Sequence, residues 1–155
     1  MRIGFGYDAH RFKNGRKCVL CGVEIPCEFG PDGHSDADVP LHAFMDALLG
    51  ALALGDIGMF FPDSDEKRRG ADSTELLKEV YALVRDRGFS LGNVDITIVL
   101  ELPRLSPYID QMRAKVADII SVNIDKVSIK ATTEEKMGFT GEGVGISSTA
   151  VVLLE

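Results

Sequence analysis

The chain has 155 residues, 45% of them hydrophobic and 26% charged, which describes one globular domain over residues 1–155 and excludes a disordered polymer. Lys and Arg total 17 against 24 Asp and Glu, so the formal net charge is −7 and the basic footprint of a nucleic-acid binder is missing. The same charge counts, at face value, against an anionic substrate.

The N-terminal residues carry no apolar secretory stretch, and the most apolar run, 47–55, is far short of the ~20 residues that span a bilayer. No membrane association is expected, and a cytoplasmic, bacterial-type location is. Residues 2–10 alternate, with Ile3, Phe5 and Tyr7 on one face and Gly4, Gly6, Asp8 and His10 on the other, which predicts a strand. Residues 17–25 read as a second strand. They hold Cys18 and Cys21, with Cys27 just beyond. A C-x-x-C spacing raises a zinc knuckle or a redox pair. Val19 and Leu20 fill the gap with strand formers instead, so buried, unpaired cysteines are expected. Residues 28–37 read as a loop.

Asp38 is placed to cap a helix with Pro40 in its first turn, Leu41, Phe44, Met45, Leu48, Leu49 and Leu52 inward, and Gly55 as its stop. Residues 56–71 read as a second loop. Asp72 and Glu75 have capping-box spacing before an apolar face of Leu76, Leu77, Val80, Leu83 and Val84, which Gly88 closes. Val94, Ile96, Ile98 and Leu100 alternate as a strand. Ser106-Pro107 opens a third helix with Ile109, Met112, Val116, Ile119 and Ile120 inward. Val127, Ile129 and Ala131 predict another strand, and 146–154 the last. The Gly-rich 137–145 segment between them lacks the G-K-[ST] ending of a phosphate loop and reads as a close-packed turn.

The order β-β-α-α-β-α-β-β predicts an α+β domain: a two-layer mixed β-sheet with helices packed on one face. The last strand is apolar on both faces over Ala150–Leu154, so the other sheet face is expected to pack against further copies of the chain.

The three histidines all lie between positions 10 and 42. Asp8 and His10 leave the same face of the first strand, and His42 sits in the first turn of the following helix. Two imidazoles and one carboxylate make a ligand set that zinc accepts with its fourth position open. A structural reading of these residues stands beside the metal one, but a strand interior suits Asp8 poorly. Asp46, one helical turn from His42, is positioned to hold the other nitrogen of that imidazole. Asp56, Asp63 and Asp65 suit either a solvated turn or a substrate-ordering loop. Thr132, Thr133, Glu134 and Glu135 suit either a strand end or a phosphate and Mg²⁺ site.

Several motifs together are more specific. D-x-H at Asp8–His10, H-S-D-x-D at His34–Asp38, L-H at Leu41-His42 and D-I-G-x-x-F-P-D-x-D at Asp56–Asp65 resemble the 2-C-methyl-D-erythritol 2,4-cyclodiphosphate synthase family. The likeness continues through G-A-D-S at Gly70–Ser73, L-G-N-V-D at Leu91–Asp95 and K-A-T-T-x-E-K-x-G-F-T-G at Lys130–Gly141. It implies an enzyme that turns 4-diphosphocytidyl-2-C-methyl-D-erythritol 2-phosphate into the cyclic diphosphate and releases CMP. It also implies a homotrimer with active sites between subunits.

By resemblance, Asp8, His10 and His42 are the zinc ligands, and Glu135 holds a Mg²⁺ or Mn²⁺ on the substrate phosphates. His34 and Thr133 take catalytic roles, with Ser35 nearby. Asp56, Ile57 and Gly58 belong with the ribose or methylerythritol contacts, followed by Phe61, Pro62, Asp63, Ser64 and Asp65 of the same loop. Leu100, Glu101, Leu102, Pro103, Arg104, Leu105 and Ser106, with Ala131 and Thr132, form the cytidine pocket. Glu134 and Phe139 fall at further substrate contacts. The chain departs from the family at Arg104, often Lys, at Glu142, usually Arg, and at Thr149, often Glu. A carboxylate at Glu142 repels a diphosphate, which weighs against an isoprenoid diphosphate in the central cavity of the implied trimer. Two other readings stay open at this level: a zinc phosphodiesterase using metal-bound water, and a non-catalytic trimeric module.

Overall fold

The alternation that begins at Ile3 continues past His10, so the first strand, β1 (Arg2–Asn14), is longer than the expected 2–10. The computed structural model describes residues 1–62 and 70–155. The far end of β1 pairs antiparallel with β4 (Phe29–Pro31), inside the expected loop. Three residues, one Gly and one Pro, carry no readable period. The pairing is held by non-local packing, with the Phe12 and Phe29 rings 4.9 Å apart.

The expected strand over 17–25 is a hairpin instead. β2 (Cys18–Leu20) and β3 (Val23–Ile25) turn at Cys21-Gly22, where both residues take positive φ, 52° and 71°. The turn is braced from below, because Asp38 accepts Cys21 N–H at 2.8 Å and Gly22 N–H at 2.6 Å. The same carboxylate caps α1 (Val39–Ala51) by accepting Leu41 N–H at 3.2 Å. Burial pushes the Asp38 carboxyl up to about 7, against the opposing pull of the Gly22 and Cys21 amides. Cys18 and Cys21 are buried free thiols, as expected, and burial raises both, Cys18 to about 12.

Helix α1 ends at Ala51 rather than near Gly55, because Ala53 already takes a left-handed φ of 56°. Only Asp46 and Gly50 of this helix reach solvent. Its packing on β1 is unusually close. A Cβ on Gly4 would stand 1.8 Å from the Ala47 carbonyl oxygen, so this strand face tolerates no side chain there. The expected loop after α1 contains a short helix, α2 (Ile57–Phe60), which Asp56 caps through Met59 N–H at 3.0 Å.

Helix α3 (Ser73–Asp86) is capped by Asp72 through Thr74 N–H, but Glu75 does not complete a capping box, since its carboxylate takes Lys78 at 2.7 Å. β5 (Leu91–Val99) follows. The third expected helix divides into a tight 3₁₀ turn at Ser106–Tyr108 and α4 (Ile109–Ile120). β6 (Val127–Thr132), the short α5 (Gly138–Gly141) and β7 (Gly145–Leu154) complete the chain.

The five-stranded sheet runs β4-β1-β7-β5-β6, with only β5 and β6 parallel. Helices cover one face: α1 lies on β1 and β7, and α4 on β6. Ala150, Val152 and Leu154 are buried beneath them. On the opposite face Phe5 pairs with Val151, and Ile3 with Leu153. Ile3 and Phe5 are 73% and 64% exposed there, an apolar patch without cover in the single chain.

Candidate metal centre

The strand period and the close helix together build the site. Gly4, Gly6, Asp8 and His10 share the face of β1 that meets α1. Because α1 lies directly on the two glycines, its first turn brings His42 down beside Asp8. Asp8 Oδ2 is 3.2 Å from His10 Nε2 and 3.1 Å from His42 Nδ1. Among the described residues, these three form the one group whose ligand atoms all lie within 4.8 Å of one another.

The electrostatics follow the geometry. Burial alone would raise the Asp8 carboxyl, but the two imidazoles bonded to it outweigh that and hold it well below the usual carboxylate range. His10 is raised by its bond to Asp8, against the opposing effect of burial. Each imidazole is also held from behind. His10 Nδ1 is 2.6 Å from the Asp32 carbonyl oxygen, and His42 Nε2 is 3.0 Å from Ser73 Oγ. Two nitrogens and one oxygen converge, with the outer nitrogen of each imidazole committed elsewhere, and this donor set fits a divalent cation of the zinc type.

Asp46 does not hold His42. Its Oδ1 accepts Ile57 N–H at 2.8 Å and so ties α1 to the start of α2, while Ser73 takes the place expected of it. The tie is useful in its own way, because it fixes the Asp56–Gly58 segment relative to the helix that carries His42. Phe61 is half-buried and Pro62 exposed after this segment. Asp63, Ser64 and Asp65 lie outside the described residues.

The loop 32–37 runs against His10 and His42. Ser35 Oγ lies 3.3 Å from His42 Nε2 and accepts Ala37 N–H at 3.0 Å. His34 is exposed, and its carbonyl accepts Gly70 N–H at 2.7 Å. Phe139 is 43% exposed and its ring flanks Gly145, a residue that also lies against the His10 carbonyl. Phe139 thus stands beside the His10 end of β1 and the start of β7.

A second feature lies across the sheet. A cavity of about 240 Å³ is lined by Leu100, Glu101, Pro103, Arg104, Leu105, Ser106, Ala131, Thr132 and Thr133, together with Ile109. Leu102 is the one member of the expected 100–106 run that does not line it, and its side chain is exposed. Ile109 was not among the expected pocket residues, although its inward position at the start of the third helix was the available signal. Thr133 Oγ1 accepts Glu135 N–H at 3.4 Å, and Glu135 is exposed with a left-handed φ of 52°. Glu134 turns away from it to take the hydroxyl of buried Thr140. Within one chain, Asp8 and Ala131 lie on one transverse row of the sheet with β7 and β5 between them, about 14 Å apart at ordinary strand spacing.

With this geometry in place, comparison with known proteins is informative. The model of the YgbB family matches residues 1–155. The chain is 53% identical over 154 residues to the 2-C-methyl-D-erythritol 2,4-cyclodiphosphate synthase of Clostridioides difficile, covering 99% of this chain and 96% of that protein. It is 56% identical over 155 residues to the synthase of the same name from Geobacter metallireducens, covering 100% and 99%. Among solved structures it is similar to the bifunctional IspDF of Campylobacter jejuni, with a TM-score of 0.95 at 40% identity, spanning 99% of this chain but 42% of that longer one. It is also similar to a 2C-methyl-D-erythritol-2,4-cyclodiphosphate synthase in its CDP-bound form, with a TM-score of 0.91 at 37% identity, covering 99% and 100%.

Proposed function

This chain belongs to the YgbB family, and on that footing we propose that it makes 2-C-methyl-D-erythritol 2,4-cyclodiphosphate. The substrate is 4-diphosphocytidyl-2-C-methyl-D-erythritol 2-phosphate, the second product is CMP, and the step serves non-mevalonate isoprenoid precursor synthesis. In the reaction an oxygen of the 2-phosphate bonds to the β-phosphorus while the bond from that phosphorus to the bridging oxygen breaks. The electron pair leaves with CMP, so the enzyme is a cyclising phosphorus–oxygen lyase. No side-chain nucleophile is needed, and catalysis comes from positioning and charge.

Asp8, His10 and His42 would hold Zn²⁺, and Glu135 with the substrate phosphates would hold Mg²⁺ or Mn²⁺. These ions supply the positive charge that phosphoryl oxygens need in the transition state. The chain's own residues orient the reacting groups. His34 and Ser35, on the loop around the metal ligands, donate to phosphate oxygens, and Thr133 does so from the other side. Asp56, Ile57 and Gly58, tied to α1 through Asp46, set the sugar and methylerythritol contacts. The cavity under Leu100–Ser106 takes the cytidine, with Arg104 at its rim.

The working unit is a homotrimer of cytoplasmic chains, in which one subunit's metal ligands face the next subunit's cytidine pocket. The uncovered Ile3, Phe5 and Val151 face supports this, and so does the separation of the two sites within one chain. The observation that carries the reading is the convergence of Asp8, His10 and His42 in a chain matched end to end by the family. Incubation of zinc-loaded protein with the cytidyl substrate and Mg²⁺ tests it, and CMP and the cyclic diphosphate should appear in equal amounts. Well-folded, loaded protein that releases neither contradicts it.

A further inference from the structure

Asp36, Ser73 and His42 form a hydrogen-bond chain with a definite direction. The Asp36 carboxylate accepts Ser73 N–H at 3.0 Å, Ser73 O–H at 2.5 Å and Asp38 N–H at 3.3 Å. Ser73 has one hydroxyl proton, and it is committed to Asp36. The same oxygen faces His42 Nε2 at 3.0 Å, where it has only a lone pair to offer. His42 Nε2 therefore carries the ring N–H. That leaves Nδ1, the nitrogen 3.1 Å from Asp8 Oδ2, as the ring atom that gives up its proton when an ion binds. That is the atom on the side where His10 and Asp8 converge.

Two features separate this from ordinary packing at a helix start. Ser73 opens α3, but the cap is made by Asp72, so the Ser73 hydroxyl is not needed there. Ser73 is also fully buried, so water does not compete for the imidazole N–H. Ser35 Oγ, 3.3 Å from the same nitrogen, is the longer contact.

We propose that Ser73, held by Asp36, is a positioning residue of the metal centre, fixing the ring orientation and tautomer of His42 so that Nδ1 faces the ion. The inference rests on the metal reading above. An acceptor behind a ligating imidazole also raises the basicity of its metal-facing nitrogen. The segment around Ser73 does more than touch the ring. Gly70 N–H bonds to the His34 carbonyl at 2.7 Å, and Asp36 N–H to the Ala71 carbonyl at 3.1 Å. One strap, Gly70–Ser73, thus sets both the His42 ring and the backbone that presents His34 and Ser35. This gives the G-A-D-S motif a task that the proposed reaction leaves unassigned.

The test uses Zn²⁺ alone in competition with a chromophoric chelator, on wild type, Ser73→Ala and Ser73→Thr. Ser73→Ala should bind zinc about 10–100-fold more weakly, the usual cost of losing such a partner. Ser73→Thr keeps the hydroxyl and should recover most of the loss. In the zinc-loaded wild type the His42 Nε2 proton should give a slowly exchanging NMR resonance, which exchanges rapidly in Ser73→Ala. A folded Ser73→Ala with wild-type affinity and an equally protected proton overturns the proposal and leaves the metal reading intact. If that variant does not fold, the wild type decides alone: a His42 Nε2 proton that exchanges at the solvent rate overturns it. Wild type that takes up no zinc overturns the metal reading and this inference together.

Discussion

Gly6 of β1 touches the backbone of Ala43, the residue after His42: a Cβ on Gly6 would stand 1.9 Å from the Ala43 carbonyl oxygen. The distance between strand and helix at this point is therefore set by the absence of a side chain. Gly6→Ala must push α1 off β1 and carry His42 away from Asp8. The expected result is a loss of about 1–3 kcal/mol in stability from overpacking, together with weakened zinc binding. Gly50→Ala is the control. It lies on the same helix, and its nearest contact would be the Phe5 carbonyl oxygen at 3.8 Å. That change should leave zinc binding untouched and stabilise the helix by about 0.5–1 kcal/mol. Thermal melts and chelator competition on both variants check the pair.

His42→Ala removes one of the three proposed ligands while leaving the Asp38 cap in place. It should abolish stoichiometric zinc and catalysis and keep the far-ultraviolet circular dichroism of the wild type. Metal analysis of dialysed protein reads the first effect. Full activity in a metal-free His42→Ala protein would remove the proposed role of the site.

Asp38 gives a dependence on pH. Its carboxyl is raised from 3.8 in the unfolded chain to about 7 in the fold, so the folded state holds a proton that the unfolded state has lost. Its contribution to stability is full below 3.8 and declines as the pH rises through about 7. Asp38→Asn cannot titrate. The melting temperature of wild type minus that of Asp38→Asn should therefore fall between about pH 4 and pH 7 and level off above it. A difference that stays level or grows over that range contradicts the assignment.

Phe5 tests the assembly. It is exposed on the uncovered sheet face beside Val151 and belongs neither to the Asp8, His10 and His42 group nor to the lining of the Leu100–Ser106 cavity. A charge there, as in Phe5→Glu, should convert a trimer to a monomer in light scattering. Activity should be lost with it, while each chain still binds zinc. A trimer that survives the change, or a monomer with full activity, contradicts an active site shared between subunits.

The Asp8, His10 and His42 group was legible because two simple periods decide it. Alternation puts Asp8 with His10, and a capped helix start puts His42 at a predictable turn. What the sequence hid depends on contacts distant in the chain. The Cys21-Gly22 turn has no usual turn dipeptide and is stabilised by Asp38, and β4 is three residues long and exists through Phe12. Asp46 has the right helical spacing to His42, but a backbone N–H at Ile57 competes for it and wins. Ser73 meets His42 across 31 positions, which no local pattern encodes. The net charge misled in the same way. It counted the Asp8 carboxylate as repulsion toward phosphate, where the fold sets it beside His10 and His42, the group proposed to recruit a cation.

The reaction in water enriched in ¹⁸O tests the central claim most directly. Cyclisation uses an oxygen already in the substrate, so the cyclic diphosphate and CMP should both form without label. Hydrolysis by a metal-bound water would instead release CMP and an uncyclised bisphosphate with ¹⁸O in one of them, and that outcome would contradict the account.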